Sequence, residues 1–166
     1  MNVKPGWEGR YLEDFAVGDV YRSRIGRTIT DADNTQFTLL TNNTNQIHFN
    51  EHYAKTTEFG RTLVNSAFTL SIVAGLAVVD TSENGFALGW DEITLPNPLF
   101  AGDTLYAESE VLESRSSRSR PGWGVVKVRQ RGIKQDGTVV LVMTRSFMVP
   151  TRAGARARDH FPEPKA

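Results

Sequence analysis

One segment of the chain, residues 63–79, is apolar on almost every side when it is drawn as a helix. A helix of this kind has no face suited to water, so most of its circumference must be buried. Its most apolar part, residues 67–79, is interrupted by Thr69 and Ser71 and is too short to span a bilayer. The chain must therefore enclose one central helix, and a sheet that curls around it meets that requirement.

The second half of the chain supplies the strands for such a sheet. Four segments have the length and composition of strands: residues 86–95, 104–114, 125–134 and 138–149. Asp136-Gly137 between the last two is a strong signal for a two-residue hairpin. The chain has 166 residues, of which 39% are hydrophobic, and this suits a single domain with a real core. One helix followed by long antiparallel strands predicts an α+β fold.

The first half predicts shorter elements. Residues 20–29 have the composition of a strand, and Thr30 follows as a helix N-cap with Asp33 in the position that completes a capping box. Asn50 is expected to cap a second short helix over residues 51–55. We divide the chain into an N-terminal arm (1–10), one domain (11–150) and a flexible C-terminal tail (151–166).

A polar stretch, residues 41–51, lies between these short helices. It contains four Asn residues and His48, one of three histidines in the chain. Asn favours turns and caps over helix interiors, so we expect an irregular loop that carries amide groups and an imidazole. One interpretation is a ligand site beside the apolar helix; the other is a surface loop in which His48 has an ordinary role.

Four motifs together resemble the MaoC-like dehydratases over about residues 11–150: Thr-Ile-Thr-Asp-Ala-Asp at 28–33, the loop at 41–48, Phe-Gly-Arg-Thr-Leu-Val at 59–64 and Ala-Gly-Asp-Thr-Leu at 101–105. These are single hot-dog-fold proteins related to R-specific enoyl-CoA hydratases. Their loop usually reads Ser/Thr-Gly-Asp-x-Asn-Pro-x-His. Asn45 and His48 match that pattern, whereas Asn42 replaces the Gly, Gln46 the Pro and Asn43 the catalytic Asp.

The resemblance implies a curved antiparallel sheet around the central helix, and addition of water to a 2-enoyl-CoA thioester or its removal. It implies that His48 is the acid/base and that Asn45 orients the reacting groups, with Asn43 in the position of the Asp. Backbone N–H groups near Asn65, Ser66 and Ala67 would bind the substrate carbonyl as enolate charge develops. No metal is expected, and no cofactor apart from the coenzyme A of the substrate.

Asn43 cannot act as a base, and three readings stay open. His48 alone moves the protons while Asn43 holds the water; or Glu51 or Glu58 takes over; or the chain is a partner or acyl-CoA-binding subunit with little chemistry. The chain also resembles hydratases of branched dicarboxylyl-CoA esters such as mesaconyl- or itaconyl-CoA. A hot-dog thioesterase is a further alternative.

Charge and composition bear on partners. The net charge of +0 favours neither nucleic acid nor a membrane surface, and the absence of Cys fits a reducing cytoplasm, where we expect the protein. His48 and His52 have a metal-binding spacing, but no third ligand is near in sequence. Six cations have two open interpretations: they bind the phosphates of coenzyme A, or they form a solvated loop and sheet face. They are Arg115, Arg118, Arg120, Lys127, Arg129 and Arg131. The resemblance implies a homodimer, or an assembly of dimers, joined at sheet edges.

Overall fold

The computed structural model describes residues 6–155 and the isolated residues 2, 4 and 162. Four α-helices occur in this part of the chain: α1 (Asp31–Leu40), α2 (Glu51–Ala54), α3 (Ser66–Leu76) and α4 (Val78–Thr81). Two 3₁₀ turns accompany them, Leu12–Asp14 and Gln46–His48. The strands are β1 (Val20–Arg22), β2 (Arg27–Thr28), β3 (Phe86–Thr94), β4 (Thr104–Ser116), β5 (Trp123–Lys134) and β6 (Val139–Pro150).

The strands form one antiparallel sheet in the order β1-β4-β5-β6-β3, with β2 also paired to β4. A hairpin joins β5 to β6 at Asp136-Gly137 as predicted, but its loop has three residues (135–137) rather than two, because the Lys134 N–H donates to the Thr138 carbonyl and the Gly137 N–H donates to the Lys134 carbonyl. Gly137 has a φ of 86°, which favours glycine. The predicted alternation in β4 is also present, because Leu105, Ala107 and Val111 are buried on one face. The α+β architecture is confirmed.

The central helix is shorter than predicted. It begins at Ser66 because the Asn65 side chain accepts a hydrogen bond from the Ala67 N–H and caps it, while Leu63 pairs with Phe100 as extended chain. A break at Ala77 separates α3 from α4. In this chain α3 is buried on the side toward the sheet, where Phe68 and Val73 join the core, and not on most sides as predicted. A line of small side chains on its outer side is exposed: Ala67, Ser71 and Gly75.

The strand predicted over residues 20–29 is also interrupted. Residues 24–26 leave the sheet after Ser23, whose N–H still donates to the Ala107 carbonyl of β4, and both short strands pair with β4. Gly26 packs against the Tyr106 ring so closely that an added Cβ would lie 2.6 Å from ring carbons. A larger residue at this position would require the Tyr106 ring to shift. The connection carries Arg24 and Ile25 into solvent.

Lys127, Arg129 and Arg131 alternate on β5 as predicted, and the two arginines are already paired. Arg131 and Arg22 both contact Glu108, with N–O distances of 2.8 Å, and Arg129 contacts Glu110 at 3.0 Å. These pairs cross between neighbouring strands on the face that lies away from α3. The charge available to phosphates on this face is correspondingly low, so the solvated-face interpretation is favoured for Arg129 and Arg131.

One buried arginine has no counter-charge in the described part of the chain. Arg145 on β6 is 5% exposed, and its Nη2 donates to Ser82 Oγ at 2.9 Å. Burial lowers the pKa of the Arg145 guanidinium below its usual value. The rings of Trp90 and Phe147 lie 5.7 and 5.6 Å from its Cζ, so aromatic faces supply part of the stabilisation that water would give.

The described part of the predicted N-terminal arm is bound to the domain. Trp7 Nε1 donates to the Val79 carbonyl, and Arg10 forms an ion pair with Asp80. At the other end, the Arg152 backbone N–H donates to Glu13, and the rest of the predicted tail lies mostly outside the described residues. Within the described ranges no helix has the length and hydropathy of a membrane span, and no three metal-ligating side chains cluster.

Candidate active site

Asn34 on α1 ties together the two segments that carry the predicted site residues. Its Nδ2 donates to the carbonyl oxygens of His48 (2.8 Å) and Leu63 (3.1 Å), and its Oδ1 accepts from the Asn65 N–H (2.9 Å). One turn further along α1, Thr38 Oγ1 accepts from Asn65 Nδ2 at 3.2 Å. The amide of one buried residue therefore holds the His48 loop against the beginning of α3.

The imidazole of His48 has a defined tautomer in this arrangement. Nδ1 lies 2.8 Å from the Leu63 carbonyl oxygen. A carbonyl only accepts, so Nδ1 carries the proton, and in the neutral ring Nε2 has a free lone pair. His48 is 7% exposed and ends the 3₁₀ turn Gln46–His48, so its backbone is held as well as its ring. The geometry is that of a positioned proton acceptor.

Asn43 and Asn45 shape the loop that leads to His48. Asn43 Oδ1 accepts from the Asn45 N–H at 3.0 Å, and Asn45 Oδ1 accepts from the Ile47 N–H at 3.2 Å, which caps the 3₁₀ turn. Both acceptor oxygens are therefore used in local turns. Asn43 is partly buried and Asn45 is exposed, and no hydrogen bond joins either side chain to His48.

Of the three residues predicted to bind a substrate carbonyl through their backbone N–H groups, two already use them. Asn65 N–H donates to Asn34, and Ala67 N–H donates to the Asn65 side chain. Ser66, the first residue of α3, is exposed, and its N–H has no acceptor among the described residues. This N–H lies at the electropositive end of an eleven-residue helix. The geometry narrows the predicted set to the Ser66 N–H.

A cavity of about 230 Å³ opens beside Ser66. Its walls are mostly apolar, and Leu63, whose carbonyl binds His48, is one of them. Thr69, Asn97 and Ser66 provide the polar groups of the lining. The volume is below the usual range for drug-sized ligands and suits a short acyl group.

Two residues that complete this site, Asn34 and Thr38, were absent from the sequence-based prediction. Both are nearly inaccessible, at 1% and 0% exposure. A signal was present: they lie four residues apart in a helix, on the face that also carries Phe37 inward to stack on Phe68. Asn in a helix interior is disfavoured unless its amide has partners, so Asn on an apolar face indicates a bridging role.

Known structures share this architecture. A MaoC-like dehydratase from Rhodospirillum rubrum is 29% identical, with a TM-score of 0.78, over 87% of this chain and 99% of that chain. A MaoC domain protein from Chloroflexus aurantiacus is 27% identical with a TM-score of 0.85, over 98% of this chain and 46% of that chain. The fold and the loop define a hot-dog protein of the MaoC-like class.

Sequence comparison is more specific. The family model for mesaconyl-CoA hydratase matches residues 4–160, and the chain belongs to that family. The mesaconyl-CoA hydratase of Haloarcula marismortui is 30% identical over 150 residues, which is 89% of this chain and 42% of the relative. The chain thus spans about two fifths of the length of that relative.

Proposed function

We propose that this chain hydrates the double bond of a 2-enoyl-CoA thioester, or catalyses the reverse dehydration. The observation that carries the proposal is a His48 ring whose Nε2 is a free acceptor together with an unused Ser66 N–H; Asn34 bonds the His48 carbonyl and the N–H of Asn65, the residue before Ser66. Mesaconyl-CoA, the substrate in the names of the family and of the Haloarcula relative, is the first thioester to test. The small cavity beside Ser66 favours a short acyl group.

In the proposed reaction the thioester carbonyl accepts a hydrogen bond from the Ser66 N–H. His48 Nε2 takes one proton from water as the water oxygen bonds to the β-carbon, and the electron pair of the double bond moves toward the carbonyl oxygen. The Ser66 N–H and the helix N-terminus stabilise the enolate charge. The His48 imidazolium then returns its proton to the α-carbon, so the net change is the addition of one water.

Asn43 has a defined part in this scheme. Its Oδ1 is held by the Asn45 N–H, so the group it can offer is its Nδ2 donor. One water molecule can bind both groups: its oxygen accepts a hydrogen bond from Asn43 Nδ2, and one of its O–H groups donates to His48 Nε2. We therefore assign water positioning to Asn43 and proton transfer to His48 alone, with Asn45 as the cap that presents His48.

We also propose that a second copy of the chain pairs along β3. This strand has nine residues, lies at the end of the sheet and pairs on one side with β6. Five large apolar side chains are 41–50% exposed on the segment 86–95: Phe86, Leu88, Trp90, Ile93 and Leu95. An exposed apolar edge strand is a template for pairing. The observation that relatives have about twice the length supports a functional unit with two such domains.

The function is tested by incubating the purified protein with a panel of enoyl-CoA thioesters, mesaconyl-CoA included. Loss of enoyl absorbance indicates hydration, release of free thiol indicates a thioesterase, and neither indicates a binding subunit. His48→Gln keeps a hydrogen-bonding side chain but removes proton transfer, and should lower kcat about 10²–10⁴-fold. Asn43→Asp should preserve or raise turnover. Retained hydration in His48→Gln would refute the mechanism.

The second candidate is a partner subunit that binds acyl-CoA without turnover. Asn43 is the observation that favours it, because an amide cannot take a proton where relatives of the MaoC-like class carry Asp. Wild-type protein that binds acyl-CoA and fails to hydrate every member of the panel, while Asn43→Asp gains activity, would establish this candidate.

A further inference from the structure

A groove of about 450 Å³ lies between α3 and the connection from β1 to β2. Its floor is apolar, formed by Ile72, Leu76 and Val79 from the helical layer and Ile25 from the connection. Ile25 is 69% exposed, so the groove is open to solvent. It lies on the side of α3 toward β1 and β2, whereas the β3 edge is at the other end of the sheet.

Two arginines line the groove, Arg24 and Arg27. Arg27 forms an ion pair with Asp33, with an N–O distance of 2.8 Å. Arg24 forms no ion pair with any residue in the described part of the chain, and its Cζ lies 5.6 Å from the centroid of the Trp7 ring. An apolar floor with an unbalanced guanidinium beside it suits a ligand that combines apolar surface with phosphate groups.

The groove is connected to the candidate active site along α3. Ala67, Ser71 and Gly75 are exposed at intervals of four residues, and the last two line the groove. These small side chains form a shallow strip on the surface of α3 that runs from its first turn to the groove. At 1.5 Å per residue, Ala67 and Gly75 are about 12 Å apart along the helix axis. A pantetheine arm that begins at a thioester beside Ser66 is long enough to follow this path.

Two other groups of cations are less suited to a phosphate. Arg129 and Arg131 are paired with glutamates on the face of the sheet away from α3. Lys55 and Arg61 share a polar cavity with the carboxylates of Asp31 and Glu51, which offset their charge.

We infer that the groove binds the phosphate-bearing nucleotide end of a coenzyme A thioester, with Arg24 as its principal cation. The inference rests on the proposed function for the position of the thioester, and it assigns a nucleotide-binding role to residues outside the catalytic loop. Arg24 contributes charge and hydrogen bonds to the phosphates, and the apolar floor covers the arm and the base.

The first test compares two substrates with the same enoyl group, one on coenzyme A and one on N-acetylcysteamine, which lacks the nucleotide. Arg24→Gln should raise KM for the coenzyme A thioester about tenfold and leave the truncated thioester unchanged. Arg118→Gln tests the competing cations of the β4–β5 turn, because Arg118 is exposed there and has no ion pair among the described residues, and it should have the wild-type KM. Equal KM values for both variants and the wild type would overturn the inference.

Gly75 allows a second test that does not alter charge. A Cβ at Gly75 would meet no atom within 4 Å, so larger side chains fit there without disturbing α3. Gly75→Leu should fill the groove and raise KM for the coenzyme A thioester, whereas Gly75→Ala should have little effect. Wild-type KM in Gly75→Leu would place the nucleotide elsewhere.

Calorimetric titration with coenzyme A and with adenosine 3′,5′-bisphosphate separates this inference from the proposed function, because it needs no turnover. Arg24→Gln should bind both ligands about tenfold more weakly at low salt, and Arg118→Gln should bind them like the wild type. If this difference appears and no thioester is hydrated, the groove is confirmed and the proposed function fails. If hydration occurs and the wild type binds neither ligand, or all variants bind alike, the groove assignment is wrong.

Discussion

Replacement of Asn34 by Leu should destabilise the fold and disable the site together. The substitution nearly preserves volume but removes three hydrogen bonds, to His48 O, Leu63 O and Asn65 N. After the substitution, the Leu63 carbonyl still has the His48 ring as a hydrogen-bond partner. The His48 carbonyl and the Asn65 N–H each lose their side-chain partner, and no other described side chain hydrogen-bonds to them. Two newly unsatisfied buried groups at about 1–3 kcal/mol each give an expected loss of roughly 2–6 kcal/mol in the free energy of unfolding.

Thr38→Val is the matched control for this prediction. Thr38 lies on the same face of α1, is fully buried, and loses one hydrogen bond to Asn65 of 3.2 Å. Its expected cost is about 1 kcal/mol. Urea denaturation followed by tryptophan fluorescence measures both variants, with equal slopes required for the comparison. If Asn34→Leu is no less stable than Thr38→Val, the bridge between the His48 loop and α3 does not have the importance assigned to it.

Three further predictions concern separate parts of the molecule. Ser66→Pro should lower kcat about 10²–10³-fold without unfolding α3, because proline is tolerated at the first helical position and removes the proposed carbonyl donor, whereas Ser66→Ala should retain activity. Hydrogen bonds from Thr30, its hydroxyl first, lower the pKa of Asp33, so the stability that Asp33 contributes should be present above about pH 4 and be lost as pH falls through that lowered pKa. Denaturation of wild type and Asp33→Asn across pH should therefore converge in acid; a constant difference would contradict it. Leu88→Lys should convert the proposed dimer to a monomer in light scattering, while Val17→Lys, which alters a 67% exposed apolar side chain outside β3, should not.

Features that depend on neighbouring residues were predictable from the sequence. The capping box of Thr30 and Asp33, the Asn50 cap and the turn at Asp136-Gly137 are each settled by contacts within a few residues, and all are present. His48 could be identified as a candidate for the same reason, because the residues of the loop motif are close together in sequence.

Features that depend on distant residues were not predictable. The bridging role of Asn34 comes from partners 14 to 31 positions away. The Asn65 N–H donates to Asn34, which removes it from the set of predicted donors to the substrate carbonyl. No sequence pattern near Asn65 indicates this hydrogen bond. The interruption between β1 and β2 is accompanied by a close approach of Gly26 to Tyr106, which is a contact between residues far apart in sequence. Apolar periodicity overestimated the length of α3 because it does not register the Asn65 cap.

The interruption between β1 and β2 also limits how far pairing between sheets can propagate. The sheet has a nine-residue edge strand at β3, which shifts register after Ala87 and after Asp91, whereas its opposite edge consists of only three residues in β1 and two in β2, separated by the segment 24–26. Short, broken strands are poor templates for a further strand. In the proposed dimer through β3, the joined sheet would therefore have a short, broken edge at each end. Edge-to-edge association would then stop at two molecules, and pairing through β3 would not propagate into a filament.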